Sequence, residues 1–159
     1  MDPNLGGFIR FLEDQDLVEF DIVGKGDKRF TNRLKLQKYA FLAKHLGMPF
    51  RYRHTIYLYG PYSSELAADY YALARGSGQD NKRSASVPSG FRRGDFLKAT
   101  RNDPKWLEIA ATIIDRNEHT GGRASLMEKV CRIKSGFDRE FIAGVLGDLE
   151  EHGLVSVRA

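Results

Sequence analysis

The sequence has a single cysteine, no long apolar run and, over one stretch, no acidic residue at all. With only Cys131, the chain can form neither an internal disulfide nor a zinc site built from cysteines. No apolar run approaches the roughly 18 residues that span a bilayer, and the N-terminus carries acids where a signal peptide carries bases. We therefore expect a soluble, cytoplasmic protein without a membrane segment.

Recognisable catalytic and metal-binding patterns are also missing. No two histidines stand at H-x-x-x-H spacing, and neither a phosphate-binding glycine loop nor a G-x-S-x-G elbow occurs. Cys131 lies at helical spacing from Met127 and Val130, which is typical of a small buried apolar side chain. The sequence predicts a protein that is not an enzyme, has no catalytic residue, binds no metal and needs no cofactor.

The acid-free stretch is residues 28–53, here called the basic strip, which carries eight bases. Residues 1–27 hold seven acids and two bases. Charges in solution act over about 10 Å, so this local distribution says more than the net charge of +4. We expect an acidic partner, either a protein face or a phosphate backbone, to meet a basic surface formed by Lys35, Lys38, Arg51, Arg53, Lys82, Arg83, Arg92 and Arg93. Alternatively, the acids of residues 1–27 fold over the strip and neutralise it.

Apolar periodicity predicts one domain over residues 1–159, of the α+β class and mostly α, with five or six helices. Short antiparallel strands are predicted near 17–23, 54–59 and 154–157, with a further short strand at 28–30. The second helix is expected to begin after a cap at Thr31 or Asn32, with Gln37 on its polar side. Ser63 is expected to cap the next helix. Residues 76–94 are predicted to be a mobile basic loop.

The C-terminal part, residues 103–159, is predicted to be helical. Asp103 followed by Pro104 is a typical helix start, and Asp138 is expected to cap the last helix. The order helix, turn, helix and short strand is that of half a winged helix, and it also occurs in small α domains that bind no DNA.

One motif carries more information than any other. Lys35 to Lys38 read K-L-Q-K on a helix, and Tyr59 to Ser63 read Y-G-P-Y-S before the next helix, which contains Leu66. This combination resembles the YwgA-like bacterial and archaeal proteins and, more distantly, the Panacea or SocA-like antitoxin domain. The resemblance covers about residues 30–75. Where the antitoxin family often has Trp-Lys before Y-G-P, this chain has Tyr57-Leu58.

The motif supports two hypotheses of function. It can be architectural, with the K-L-Q-K helix packed against the Y-G-P-Y turn, and the same packed residues can also form a recognition surface. The resemblance then implies a non-enzymatic, antitoxin-like regulatory module that binds a toxin-like or regulatory protein partner. Its binding residues would be Gln37, Tyr57, Tyr59, Tyr62 and the bases of the predicted surface. The alternative is a winged-helix-type DNA-binding transcriptional regulator.

Overall fold

The computed structural model describes residues 1–57, 59–76, 86–101 and 103–157. These residues form seven helices and one two-stranded antiparallel sheet, which confirms the mostly α, α+β class. The elements are α1 (Leu5–Asp14), α2 (Asp27–His45), β1 (Thr55–Tyr57), β2 (Gly60–Tyr62), α3 (Ser64–Ala74), α4 (Arg93–Thr100), α5 (Pro104–Asn117), α6 (Arg123–Ile133) and α7 (Arg139–Glu151).

The chain divides into two compact units, Met1–Phe96 and Leu97–Ala159. The core of the first unit is aromatic. The ring of Phe8 makes edge-on contacts with Phe50, Phe91 and Phe96, at centroid distances of 5.3, 6.2 and 5.8 Å. Such contacts add to the free energy gained from burying the rings, because the ring edge is positive and the ring face negative. The expectation of a single domain stays a prediction.

The strand predicted near 17–23 does not form. Val18 and Ile22 are buried, as the alternating pattern indicated, but the backbone there is bonded to side chains of α2. Asn32 Nδ2 donates to the carbonyl of Asp21, and Arg33 Nη1 donates to that of Ile22. Alternation predicts which side chains are buried and not what the backbone bonds to, so the prediction was wrong about the strand.

Helix α2 begins earlier than predicted. It starts at Asp27 after Gly26, so residues 28–30 are helical and neither a strand nor a cap at Thr31 or Asn32 exists. The extra turn joins residues 27–31 to the predicted helix and adds Phe30 to its surface. Gln37, expected on the polar side, is 1% exposed.

Two short strands, Thr55–Tyr57 and Gly60–Tyr62, form a hairpin in place of the single strand predicted near 54–59. Thr55, Ile56 and Tyr57 of β1 pair with Tyr62, Pro61 and Gly60 of β2. Pro61 fits in β2 because the described sheet has only two strands, so β2 is an edge strand, where a proline is tolerated. Ser63 then caps α3 as predicted, with its side chain accepting from the backbone N–H of Leu66.

The predicted mobile loop, residues 76–94, is ordered at its C-terminal end. The N–H of Arg92 donates to the carbonyl of Leu46 at 2.7 Å, Phe91 is buried, and α4 begins at Arg93. Gly47 has a φ of +96°, and a Cβ there would lie 2.3 Å from the carbonyl oxygen of Gly90, so a glycine is required for this close approach. The loop prediction is therefore wrong for Arg93 and Gly94. Residues 77–85, with Lys82 and Arg83, lie outside the described residues.

The second unit contains α5, α6 and α7. Asp103 caps α5 by accepting from the N–H of Trp106 at 2.9 Å, with Pro104 in the first turn, as predicted. Asp138 stands at the N-terminus of α7 without a side-chain capping bond. The strand expected at 154–157 is absent, because the described backbone has no strand beside it. Instead, the N–H groups of Leu154 and Val155 donate to the carbonyl of Leu149.

Among the described helices, none combines the length and the apolar character needed to cross a bilayer.

Candidate docking site at the K-L-Q-K helix and the Y-G-P-Y hairpin

A pair of buried hydrogen bonds joins the two halves of the motif. The side chain of Gln37 donates from Nε2 to the carbonyl of Ser63 at 3.0 Å and accepts from the N–H of Ser63 at 2.8 Å. Both residues are buried. The amide group therefore satisfies the donor and the acceptor of the backbone at the start of α3, and it holds α2 against the end of the hairpin.

Close packing at Gly60 reinforces this junction. Gly60 has a φ of +116°, and a Cβ at this position would lie 3.2 Å from Cε of Lys38. A side chain at residue 60 would thus meet both backbone strain and the stem of Lys38. Two residues of the K-L-Q-K motif, Gln37 and Lys38, are explained by contacts with the Y-G-P-Y segment.

Beside this junction lies an open cavity of about 370 Å³, here called the aromatic cavity. Its walls come from α2, the hairpin and α3. Four of its aromatic side chains are well exposed: Tyr57 by 60%, Tyr59 by 55%, and Phe30 and Tyr62 by 40% each. The complete lining is Phe30, Arg33, Leu34, Gln37, Tyr57, Tyr59, Gly60, Pro61, Tyr62, Tyr70 and Tyr71.

Ring contacts order the exposed aromatics before any partner binds. Phe30 and Tyr59 meet edge to face at 5.5 Å between centroids, and Tyr57 and Tyr62 do so at 5.9 Å. Each pair restricts the rotamers of its members, which lowers the entropy cost of ordering them on binding. The cavity is therefore bordered by two preformed aromatic pairs.

The charge on the lining of the aromatic cavity is positive. Among the described residues that line it, Arg33 is charged and none is a carboxylate. The guanidinium of Arg33 lies 6.0 Å from the centre of the Phe30 ring, and its Nη1 donates to the carbonyls of Ile22 and Gly24. The guanidinium of Arg75 lies 5.5 Å from the centre of the Tyr71 ring. Burial raises the pKa of Tyr70 to about 12, so its hydroxyl stays neutral near pH 7.

The structure brings together only some of the predicted binding residues. Gln37, Tyr57, Tyr59 and Tyr62 all line the aromatic cavity, and Lys38 borders it through Gly60. The other described bases do not line it. Lys35 lines a separate cavity with Asp16 and Glu19, and Arg51 lines another with Glu65 and Asp69. Arg53 lies 4.0 Å from Glu65, Arg92 pairs with Asp95 at 2.8 Å, and Arg93 is the first residue of α4.

Acids of the N-terminal segment neutralise part of the basic strip. Lys28 lies 2.8 Å from Glu19, and their hydrogen bond raises the pKa of Lys28. Arg29 pairs with Asp21 at 3.0 Å. The sequence allowed the alternative that acids of residues 1–27 neutralise the basic strip. These two ion pairs show such neutralisation at Lys28 and Arg29, the first two bases of the strip.

Outside the Y-G-P-Y segment, sequence reasoning missed five lining residues, namely Phe30, Arg33, Leu34, Tyr70 and Tyr71. The signal for three of them was present, because Phe30, Arg33, Leu34 and Gln37 follow the i, i+3, i+4, i+7 spacing of one helix face. It was hidden by placing the start of α2 too late in the chain. Tyr70 and Tyr71 carry no local signal, because only the packing of α3 brings them to the hairpin.

His54 and Cys131 are not among the residues that line this cavity. The ring of His54 packs against Phe41, with 5.4 Å between ring centres, and Cys131 belongs to α6. Among the described residues, no three His, Cys, Asp or Glu side chains converge as they would around a metal ion.

Comparison with known proteins adds no family to this description. No family model matches the chain, and neither a curated protein nor a solved structure matches it.

Proposed function

We propose that this chain is a non-enzymatic, antitoxin-like regulatory module that binds a partner protein through the aromatic cavity. One observation carries the proposal: four large aromatic side chains, Phe30, Tyr57, Tyr59 and Tyr62, stand exposed around one preformed cavity. Clustered exposed apolar surface marks interaction sites in soluble proteins, and tyrosine is enriched at the centres of protein interfaces. The antitoxin-like part rests on the resemblance of the K-L-Q-K and Y-G-P-Y segments.

The rigidity of the cavity walls also supports a role in binding. The bonds from Gln37 to Ser63 and the packing of Lys38 on Gly60 hold the walls in position. A rigid site loses little conformational entropy on binding, so more of the contact energy becomes affinity.

The winged-helix alternative has less support. Residues 154–157 form no strand that could serve as a wing, and α7 carries four acids and one base, a poor surface for a phosphate backbone. The described bases are also divided among separate surfaces.

Affinity capture followed by direct titration tests the proposal. The tagged full chain is used to capture proteins from a lysate of its source, and a captured protein is then purified and titrated against the chain by calorimetry. We expect Tyr57→Ser with Tyr59→Ser to weaken this binding at least about tenfold, because interface tyrosines are frequent hot spots.

The matched control is Ile133→Ser, since Ile133 is 42% exposed and belongs to the other unit. It should leave the affinity unchanged. Wild-type affinity in the double tyrosine variant, with its fold intact by circular dichroism, would show that the cavity is not the docking site.

A further inference from the structure

We propose that the occupant of the aromatic cavity is an acidic peptide segment of the partner, with one large apolar side chain seated in the cavity and a neighbouring carboxylate on Arg33. This deepens the proposed function and rests on it. The inference joins two properties of the same site, an apolar lining and an unneutralised positive border.

The size and lining of the cavity favour one large apolar side chain. Its volume of about 370 Å³ is near the lower end of the roughly 300–1,000 Å³ typical of ligand pockets. Six of its lining residues are aromatic, and Leu34 and Pro61 add further apolar surface. A Phe, Trp or Leu side chain would gain contact with these rings on several sides.

Exposed rings around the cavity favour a peptide over a small molecule. Tyr57 and Tyr59 are more than half exposed, so much of their apolar surface stands outside the cavity. A ligand confined to the cavity would leave that surface in water. A peptide covers it with the residues on either side of the anchor.

Arg33 supplies the charge that selects acidic neighbours. Its Nη1 is bonded to the carbonyls of Ile22 and Gly24 at 2.7 and 3.0 Å, which fixes the guanidinium in place. Carbonyls do not neutralise its charge, and no described carboxylate forms an ion pair with it. A guanidinium has five donors in a planar fork, so donors besides the Nη1 group remain for a carboxylate.

Arg75 is a second cation that favours an acidic segment. Arg75 lies over the ring of Tyr71, which lines the cavity, and no lining residue is acidic. Basic segments would therefore meet repulsion from both arginines, whereas acidic segments gain attraction from both.

The test uses a display library of random short peptides, panned against the immobilised full-length chain. Recovered peptides are synthesised, labelled and titrated by fluorescence polarisation. We expect a pool in which Phe, Trp or Leu stands beside Asp or Glu. Arg75→Gln should weaken these peptides severalfold and Arg33→Gln about tenfold, while Arg33→Glu should shift the recovered pool toward lysine and arginine.

Arg53→Gln is the matched control, because the side chain of Arg53 is 90% exposed and does not line the cavity. It should not change the affinity. Arg75→Gln keeps the test valid if the Arg33 variants fail to fold, since the contact recorded for Arg75 is the surface one with the Tyr71 ring.

Recovery of no peptide, of basic peptides, or of peptides indifferent to both arginines would overturn this inference. The proposed function is judged separately, by whether the tyrosine variants lose the captured protein. A captured protein that depends on Tyr57 and Tyr59, together with a pool without acidic bias, would leave the function standing and reject the acidic segment.

Discussion

Gln37 is buried and His54 is half-buried with both ring nitrogens covered, and the two side chains differ in whether their polar atoms are satisfied. Gln37 exchanges two hydrogen bonds with the backbone of Ser63. Both ring nitrogens of His54 are buried without a hydrogen-bond partner among the described residues. A satisfied buried amide specifies packing, whereas an unsatisfied imidazole makes stability depend on pH.

Replacing Gln37 by Leu should destabilise the first unit by about 1–3 kcal/mol, the cost of one unsatisfied buried group. The change roughly keeps the volume but leaves the buried N–H of Ser63 without a partner, whereas the carbonyl of Ser63 still accepts from the N–H of Ala67. Urea denaturation measures the effect. Gln15→Leu is the control, because Gln15 is exposed. Equal stability of the two variants would mean that the Gln37 bonds do not hold the hairpin.

The stability of the chain should fall as the pH is lowered from about 6.5 to about 4. Burial, with Lys44 and His45 nearby, lowers the pKa of His54 to about 4 in the folded state, while the unfolded value is near 6.5. In this window the unfolded chain takes up a proton that the folded chain refuses. The contribution is present in full above pH 6.5, and up to about 3 kcal/mol is lost by pH 4.

A His54→Leu variant should lose this component of the pH dependence, measured as the difference in unfolding free energy between pH 7 and pH 4.5. The exposed His152 serves as a control, and His152→Gln should keep the wild-type difference. If His54→Leu and the wild-type chain lose stability equally, His54 is not the responsible group.

The hairpin is the element on which the site depends most. Within it, Gly60 packs closely against the side chain of Lys38. The pairs of the hairpin are Thr55 with Tyr62, Ile56 with Pro61 and Tyr57 with Gly60, and this register brings Tyr57 and Tyr62 into ring contact. A two-stranded hairpin is only marginally stable in water. The packing of β2 on α2 therefore has to stabilise it.

Gly60→Ala should lower stability by about 1–3 kcal/mol, because alanine is strained at a φ of +116° and its Cβ would lie 3.2 Å from Lys38. Gly147→Ala is the matched substitution in α7, where no atom lies within contact distance of the added Cβ. It should raise stability by about 0.5–1 kcal/mol, since glycine is a poor residue in a helix interior. Thermal unfolding of both variants measures whether their changes in stability have opposite signs. If Gly60→Ala does not change the stability, residue 60 does not need to be a glycine.

Charge over the chain as a whole separates the two hypotheses of function. The formal net charge is +4, but salt bridges with Glu19, Asp21 and Asp95 neutralise several bases. The bases that these salt bridges do not neutralise include Arg33 and Arg75 at the aromatic cavity. Attraction of this kind adds modestly to an interface that is mainly apolar.

Binding of the captured protein should therefore weaken less than about tenfold between about 50 and 200 mM salt. A DNA complex with 6–10 phosphate contacts would lose about 10³–10⁵ in affinity over the same range, because phosphate contacts release counterions. Calorimetry with the protein and mobility shift with duplex DNA measure the two slopes. A steep slope with DNA and no protein partner would favour the winged-helix alternative.

Local signals in the sequence predicted much of the secondary structure. The caps at Ser63 and Asp103 and the strand predicted near 54–59 each depend on residues within a few positions of one another. Such interactions are almost the same in any fold, so the sequence reveals them directly.

Tertiary contacts determined the rest. Residues 17–23 and 154–157 have strand-like patterns, yet a strand needs a second strand beside it, and here helices and side chains occupy that place. The burial of Gln37 depends on Ser63, which lies 26 residues away. The aromatic cavity likewise needs Phe30 of α2 and Tyr71 of α3 to face the same hairpin. Sequence spacing within one element carries no information about such distant partners, because they meet only when the chain packs.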